Sequence, residues 1–164
     1  MVLRDIRAKG VYVLTLQAWC DAPTGRLGVL SFRGWYAYAG SAQGPGGLKR
    51  VARHLAYRRR RRAPRRWHVD TLLARGVLGE AVVGLTERPV ECRLVQSLAG
   101  RLAPAFPGFG SSDCRCPTHL FQAPSLDEAR EAACRAMREA GVTPVILMCR
   151  DAAWPVDDGL KPES

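Results

Sequence analysis

The sequence predicts an α+β domain of the α/β-like kind, in which a small mixed or antiparallel sheet is flanked by helices. Three observations carry this. Short runs rich in β-branched and aromatic residues alternate with segments of 3.6-residue apolar periodicity. No internal repeat is visible, and an arginine run is the only low-complexity stretch. The length of 164 residues suits one domain with a real core, and 47% hydrophobic against 24% charged residues is a globular balance.

Taken in order, residues 10–16 (GVYVLTL) read as a first, mostly buried strand. Residues 17–28 read as a connection, residues 29–32 as a second strand, Gly34 as a turn, and residues 35–39 as a third strand pairing with the second or the first. Residues 40–47 hold four glycines and Pro45, a turn signal. A helix over residues 48–60 follows, because Leu48, Val51, Ala52 and Leu55 stand at i, i+3, i+4 and i+7. Ala63-Pro64 breaks it, and residues 67–74 predict a short helix ended by Gly76. Residues 80–85 are a strand. Pro89 stands at the first position of a helix whose buried face is Leu94, Val95, Leu98 and Leu102. Residues 104–110 are loop and residues 118–122 a strand. Ser125 and Glu128 make a capping box for a helix reaching Gly141, a left-handed cap, before a strand over residues 145–149 and a polar tail over 154–164. The expected organisation is a core over residues 1–122 and a helix–strand extension over 123–164 packed on the same domain.

Charge narrows the function. Lys and Arg number 25 against 15 Asp and Glu, a formal net charge of +10. Residues 49–66 contain ten of the basic residues and no acid, so the remaining 15 basic residues balance the 15 acidic ones. A segment this basic serves as a solvated helix end, a membrane or acidic-protein contact, or a groove for nucleic-acid backbone. Neighbouring Trp67, Tyr57 and the Gly-rich turn favour the groove, with Lys49, Arg53, Arg58, Arg59, Arg60, Arg61, Arg62, Arg65, Arg66 and Trp67 as its nucleic-acid-binding residues. No apolar run is long enough to cross a bilayer, and the first ten residues lack a signal peptide's apolar segment. A cytoplasmic protein without a membrane partner is expected. The six cysteines are then expected to be reduced.

Arg50 stands one helical turn before His54, beside a tyrosine-bearing strand, a grouping that can surround a phosphate with a fork donor, a titratable ring and a phenol. The Gly-rich turn is not a nucleotide P-loop, since no Gly-Lys-Ser/Thr follows it. In the motif Asp113-Cys114-x-Cys116-x-x-His119, one residue between the cysteines is tighter than the usual zinc spacing, leaving a zinc ligand set and a structural turn both open. Trp67-His68-x-Asp70 can place His68 near a phosphate with Asp70 orienting it or joining a metal, or else Trp67 is simply core and His68 a capping or surface residue.

Gly10-Val11-Tyr12 and Tyr38-Ala39-Gly40 resemble the paired signatures of the GIY-YIG nuclease superfamily. The similarity is closest to its Uri-like branch, in the ordered series YxGSAxGPGGL, R-x-x-x-H, WHxD and GFGSSDCxCxxHL, spanning roughly residues 9–122. The resemblance implies a DNA endonuclease dependent on Mg2+ or Mn2+. It implies Tyr12 or Tyr38 as base, Arg50 on the phosphoryl group, His54 as an added acid, base or orienting group, and Glu91 as metal ligand, with Glu80 and Glu87 as competing acids. His68, from its own motif, is a further catalytic candidate. Tyr12 is preferred over Tyr38 as base, and a phenolate requires help from Arg50 and a cation. Two departures stand out: an insertion separates the two tyrosine strands, and the chain has no asparagine where the family often adds one near the metal.

Overall fold

The computed structural model describes residues 7–57, 68–111 and 114–148. Its elements are β1 (Gly10–Pro23), β2 (Val29–Ala42), α1 (Lys49–Tyr57), α2 (His68–Arg75), β3 (Val77–Leu85), α3 (Glu91–Ala99), β4 (Ala103–Pro104), β5 (Leu120–Ala123), α4 (Leu126–Glu139) and β6 (Val145–Met148). One six-stranded sheet in the order β4-β5-β2-β1-β3-β6 runs through the middle. Every neighbouring pair is antiparallel.

Side chains alternate across a strand, so β1 feeds two cores at once. Tyr12, Leu14, Leu16 and Ala18 lie on the face covered by α1 and α2, packed with Leu48, Val51, Val69 and Leu72. Val11 and Val13 lie on the opposite face, with Leu94 and Leu98 of α3 and Ala129, Ala133 and Met137 of α4. A sheet covered on both faces has no polar face to alternate with, which is why residues 10–16 read as an almost unbroken apolar run. Each fully buried Leu or Val stabilises the fold by about 1.5–3 kcal/mol.

The central hairpin is longer than its sequence suggests. Residues 17–23 continue β1 rather than connecting it, and the two short strands expected over 29–32 and 35–39 are one strand, with Gly34 inside it opposite Ala18. At φ +130° Gly34 takes a conformation that L side chains avoid. The Gln122 side chain crosses over it, Nε2 donating to the Arg33 carbonyl at 2.8 Å. A glycine that reads as a turn is thus a crossing point within a strand. Pro89 precedes the cap residue Val90 instead of opening α3, and Ala103–Pro104 pair with β5 where only loop is expected. Ser125 caps α4 as expected, accepting from the Glu128 N–H at 3.1 Å, and Gly141 has φ +79°. Because α4 covers one face of the sheet and β6 pairs with β3, the segment after residue 122 completes the core.

Candidate functional site

The β1–β2 register sets Tyr12 opposite Gly40. A Cβ at Gly40 would lie 2.2 Å from Cζ of Tyr12 and 2.4 Å from its hydroxyl, so only glycine lets the phenol lie across the partner strand. Tyr38, on the same face, packs edge-on to Phe109 with centroids 6.0 Å apart. Gly110 closes over it at φ +71°, where a Cβ would stand 2.8 Å from Cε2 of Tyr38. Each tyrosine therefore has its own glycine.

The Gly-rich turn delivers α1 to these tyrosines. Gly47 has φ +55°, and a Cβ there would meet the Ala8 carbonyl oxygen at 2.2 Å. Leu48 N–H donates to that same oxygen at 3.0 Å, fixing where α1 starts. Arg50 reaches back and donates to the Ser41 carbonyl at 2.9 Å, running beside Gly44. One turn on, buried His54 places Nε2 2.9 Å from the Tyr12 hydroxyl and Nδ1 3.7 Å from Asp70 Oδ1. A carboxylate only accepts, so the proton belongs on Nδ1, and Nε2 is left to accept the Tyr12 O–H. Tyr12 and His54 are thus hydrogen-bonded, so a proton can pass between them, and the Asp70 carboxylate stands as a negative charge beside the far side of the imidazole.

Asp70 is the residue that sequence reasoning misplaced, because it was paired with His68. Residues two apart on a helix do not face each other. His68 turns instead to the Gly108–Gly110 bend, where its Nδ1 accepts from the Gly110 N–H at 2.9 Å and its ring lies 5.4 Å from that of Phe109. It thereby steadies the glycine against which Tyr38 packs. Helical spacing excludes the His68 pairing but does not point to α1; Asp70, buried at 1% exposure, reaches it through packing.

Glu91 opens α3 and brings Oε1 to 3.4 Å from Nδ1 of His119. Its charge acts on both tyrosines, as do those of Asp70 and Arg50, so five elements contribute to one electrostatic neighbourhood. Burial is the largest influence on the two phenols and pushes both well above their ordinary value, with Glu91 and Asp70 adding to the rise and Arg50 opposing it. Arg50 does not offset burial, so neither tyrosine rests as a phenolate. Burial likewise holds His54 below its usual range, against the pull of Asp70, so the ring is neutral and able to accept a proton at pH 7.

Over residues 11–142 the chain matches the family described as Domain of unknown function DUF123. It belongs to that family. Neither the curated proteins nor the solved structures contain a match to this DUF123 chain. The matched span runs from the second residue of β1 to the end of the α4 cap, and so includes Tyr12, Tyr38, Arg50, His54, Asp70, Glu91 and His119.

Beside Glu91 in the DUF123 fold, the ligand atoms of Cys114, Cys116 and His119 lie within 4.8 Å of one another, a grouping able to hold a metal ion. Burial, then the neighbouring Cys92 and Cys114, push the Cys116 thiol up to about 12. Of the basic segment, Lys49 is half-buried and Arg53 exposed on α1. Arg58, Arg59, Arg60, Arg61, Arg62, Arg65, Arg66 and Trp67 lie outside the described residues, as does Asp113. No helix among the described residues is long and apolar enough to cross a membrane.

The raised phenols carry a consequence for stability. A proton held by the folded chain and released by the unfolded one contributes stability fully below the ordinary tyrosine value of 10.0, and that contribution is lost as pH rises toward the folded values. The urea midpoint should fall above about pH 10, and Tyr12→Phe should make that fall shallower. An equally steep fall in the variant would mean that Tyr12 ionises without unfolding.

Proposed function

We propose that this protein is a metal-dependent DNA endonuclease of the GIY-YIG type, hydrolysing phosphodiester bonds. The observation that carries the reading is the convergence of two strand tyrosines, Arg50, the Asp70–His54 pair and Glu91 at one end of the central hairpin. A nuclease needs water deprotonated, charge on the phosphoryl oxygens neutralised and the departing 3′ oxygen assisted. Glu91 suits a hard divalent cation, being an oxygen donor with 23% of its side chain exposed, and such cations bind through one or two carboxylates with substrate phosphate and water completing the shell. A bound Mg2+ or Mn2+ supplies charge neutralisation at the phosphoryl and leaving oxygens.

The chain's own groups divide the remaining work. Tyr12 accepts a proton from water as it passes its own to His54 Nε2, so no free phenolate is needed and the base strength is set by the histidine. Asp70 holds the imidazole and stabilises the imidazolium that forms. Arg50 offers its fork to the phosphoryl oxygens, and Tyr38 orients water or phosphate through its hydroxyl. The basic segment after α1 would hold the backbone of the nucleic acid.

Incubation with single-stranded, duplex and branched DNA, with and without magnesium or manganese, tests the reading. Metal-dependent cleavage supports it, whereas binding without cleavage under every condition would leave a nucleic-acid-binding module. Affinity should also fall steeply with salt, since each phosphate neutralised releases counterion. Replacing Arg58, Arg59, Arg60, Arg61 and Arg62 by serine should flatten that slope, weakening all sequences about alike. An unchanged slope would remove the arginine run from the interface.

A further inference from the structure

We infer that Cys92, Cys114, Cys116 and His119 form a tetrahedral zinc site that clamps the start of α3 to the loop preceding β5. Spacing within the motif supplies three ligands at most, and the fourth comes from a helix 24 residues away from Cys116. Cys92 is the second residue of α3, and its Sγ lies 3.3 Å from that of Cys116. Cys114 Sγ lies 3.0 Å from Nε2 of His119. Each of the four groups thus touches another member of the set.

The tautomer of His119 fits a ligand. Its Nδ1 faces the Ala39 carbonyl at 3.1 Å and the Glu91 carboxylate at 3.4 Å, both acceptors. The proton therefore sits on Nδ1, and the Nε2 lone pair points toward the thiols. A histidine that binds metal through one nitrogen commonly donates the other N–H to a carbonyl or carboxylate in this way. Three thiols and an imidazole select zinc over magnesium or calcium. With Zn–S bonds of about 2.3 Å and Zn–N bonds of about 2.0–2.1 Å, tetrahedral ligands stand roughly 3.6–3.8 Å apart. Cys114, Cys116 and His119 already offer ligand atoms within 4.8 Å of one another, and Cys92, in contact with Cys116, must turn its Sγ toward that group to complete the tetrahedron. At 3.3 Å the Cys92 and Cys116 sulfurs are in contact and not bonded, since a disulfide needs about 2.05 Å.

The inference does not depend on the nuclease reading, because its ligands and its test are separate from cleavage. Zinc here would hold the first turn of α3, and with it Glu91, the residue before Cys92. The test uses the whole chain, reduced with a non-chelating phosphine and titrated with Zn2+ against a chromophoric chelator, and with Co2+ as a spectroscopic probe. One zinc per chain is expected, and Co2+ should give the thiolate charge-transfer band and the intense visible bands of a tetrahedral sulfur site. Cys92→Ser, Cys114→Ser and Cys116→Ser should each weaken zinc at least about tenfold, while Cys20→Ser and Cys134→Ser should not. No stoichiometric uptake, or a weak six-coordinate Co2+ spectrum in the unmutated chain, would overturn the site independently of any variant's folding. So would Cys92→Ser binding zinc as tightly as the unmutated chain, or a Cys92–Cys116 disulfide whose reduction restores no zinc binding.

Discussion

Glu91→Gln is expected to abolish metal-dependent cleavage while leaving DNA affinity unchanged or slightly higher. Glutamine keeps the shape of the side chain, a polar first turn for α3 and an oxygen that can still accept from His119, so the fold should hold. What disappears is the charge that attracts a divalent cation, and with it a negative group facing the phosphate. Loss of such a preorganised electrostatic partner costs about 10²–10³-fold in turnover. Single-turnover cleavage, with binding measured in chelator, reads the two effects separately. The competing acids make useful controls. Glu80 is occupied by Arg130 of α4 at 3.0 Å, and Glu87 lies in the turn before α3. If Glu91→Gln cleaves at the unmutated rate while Glu80→Gln or Glu87→Gln does not, the metal ligand has been misassigned.

Tyr12→Phe is expected to reduce cleavage by about 10²-fold or more, the usual contribution of a general base. The ring keeps its packing, but His54 loses a hydroxyl partner in a buried place, at a cost to stability of about 1–3 kcal/mol. Raising the pH from 7 to about 9, still below the alkaline transition, should partly restore the rate as hydroxide replaces the missing base. Tyr38→Phe should lose less. Gly40→Ala removes no chemical group, yet its methyl would fall 2.2 Å from Cζ of Tyr12 and must push the phenol away from His54. A comparable loss in Gly40→Ala would show that the position of the hydroxyl matters as much as its presence. Normal cleavage by both Tyr12→Phe and Tyr38→Phe would leave the tyrosines as strand aromatics and end the mechanism proposed above.

Motif order and the family resemblance together nominate Tyr12, Tyr38, Arg50, His54 and Glu91, which lie on elements that sequence marks clearly. The two tyrosine motifs sit on paired strands, and Arg50 and His54 follow a turn whose glycines announce it. Partners that meet only through packing left no such trace. Asp70 reaches His54 because α2 lies against α1, and Cys92 reaches Cys116 because α3 passes the loop before β5. Neither pairing has a sequence spacing to reveal it. Strand extent was hidden for a different reason. Residues 17–23 mix Gln17, Trp19 and Asp21 with buried Ala18 and Ala22, a pattern that a connection or a half-exposed strand would share equally. Sheet direction was open as well, since apolar runs do not distinguish parallel from antiparallel strands until the hairpin pairing is known.

The register of the β1–β2 hairpin also determines which changes in chain length the protein can survive. Side chains alternate with a period of two, so one residue inserted between Tyr12 and Pro23 would turn Tyr12 to the opposite face relative to Gly40 unless a bulge absorbed it. The β1–β3 ladder already spends such an irregularity between Leu14 and Leu16. Within the tip only the exposed Gly25–Arg26 turn is open by contrast, since a Cβ at Gly25 would meet nothing within 4 Å, whereas Thr24 is buried and Leu27 packs on the core beside Gly108. A peptide tag spliced between Gly25 and Arg26 should therefore be tolerated, while one that displaces Thr24 or Leu27 should loosen the Gly108–Gly110 bend that closes over Tyr38.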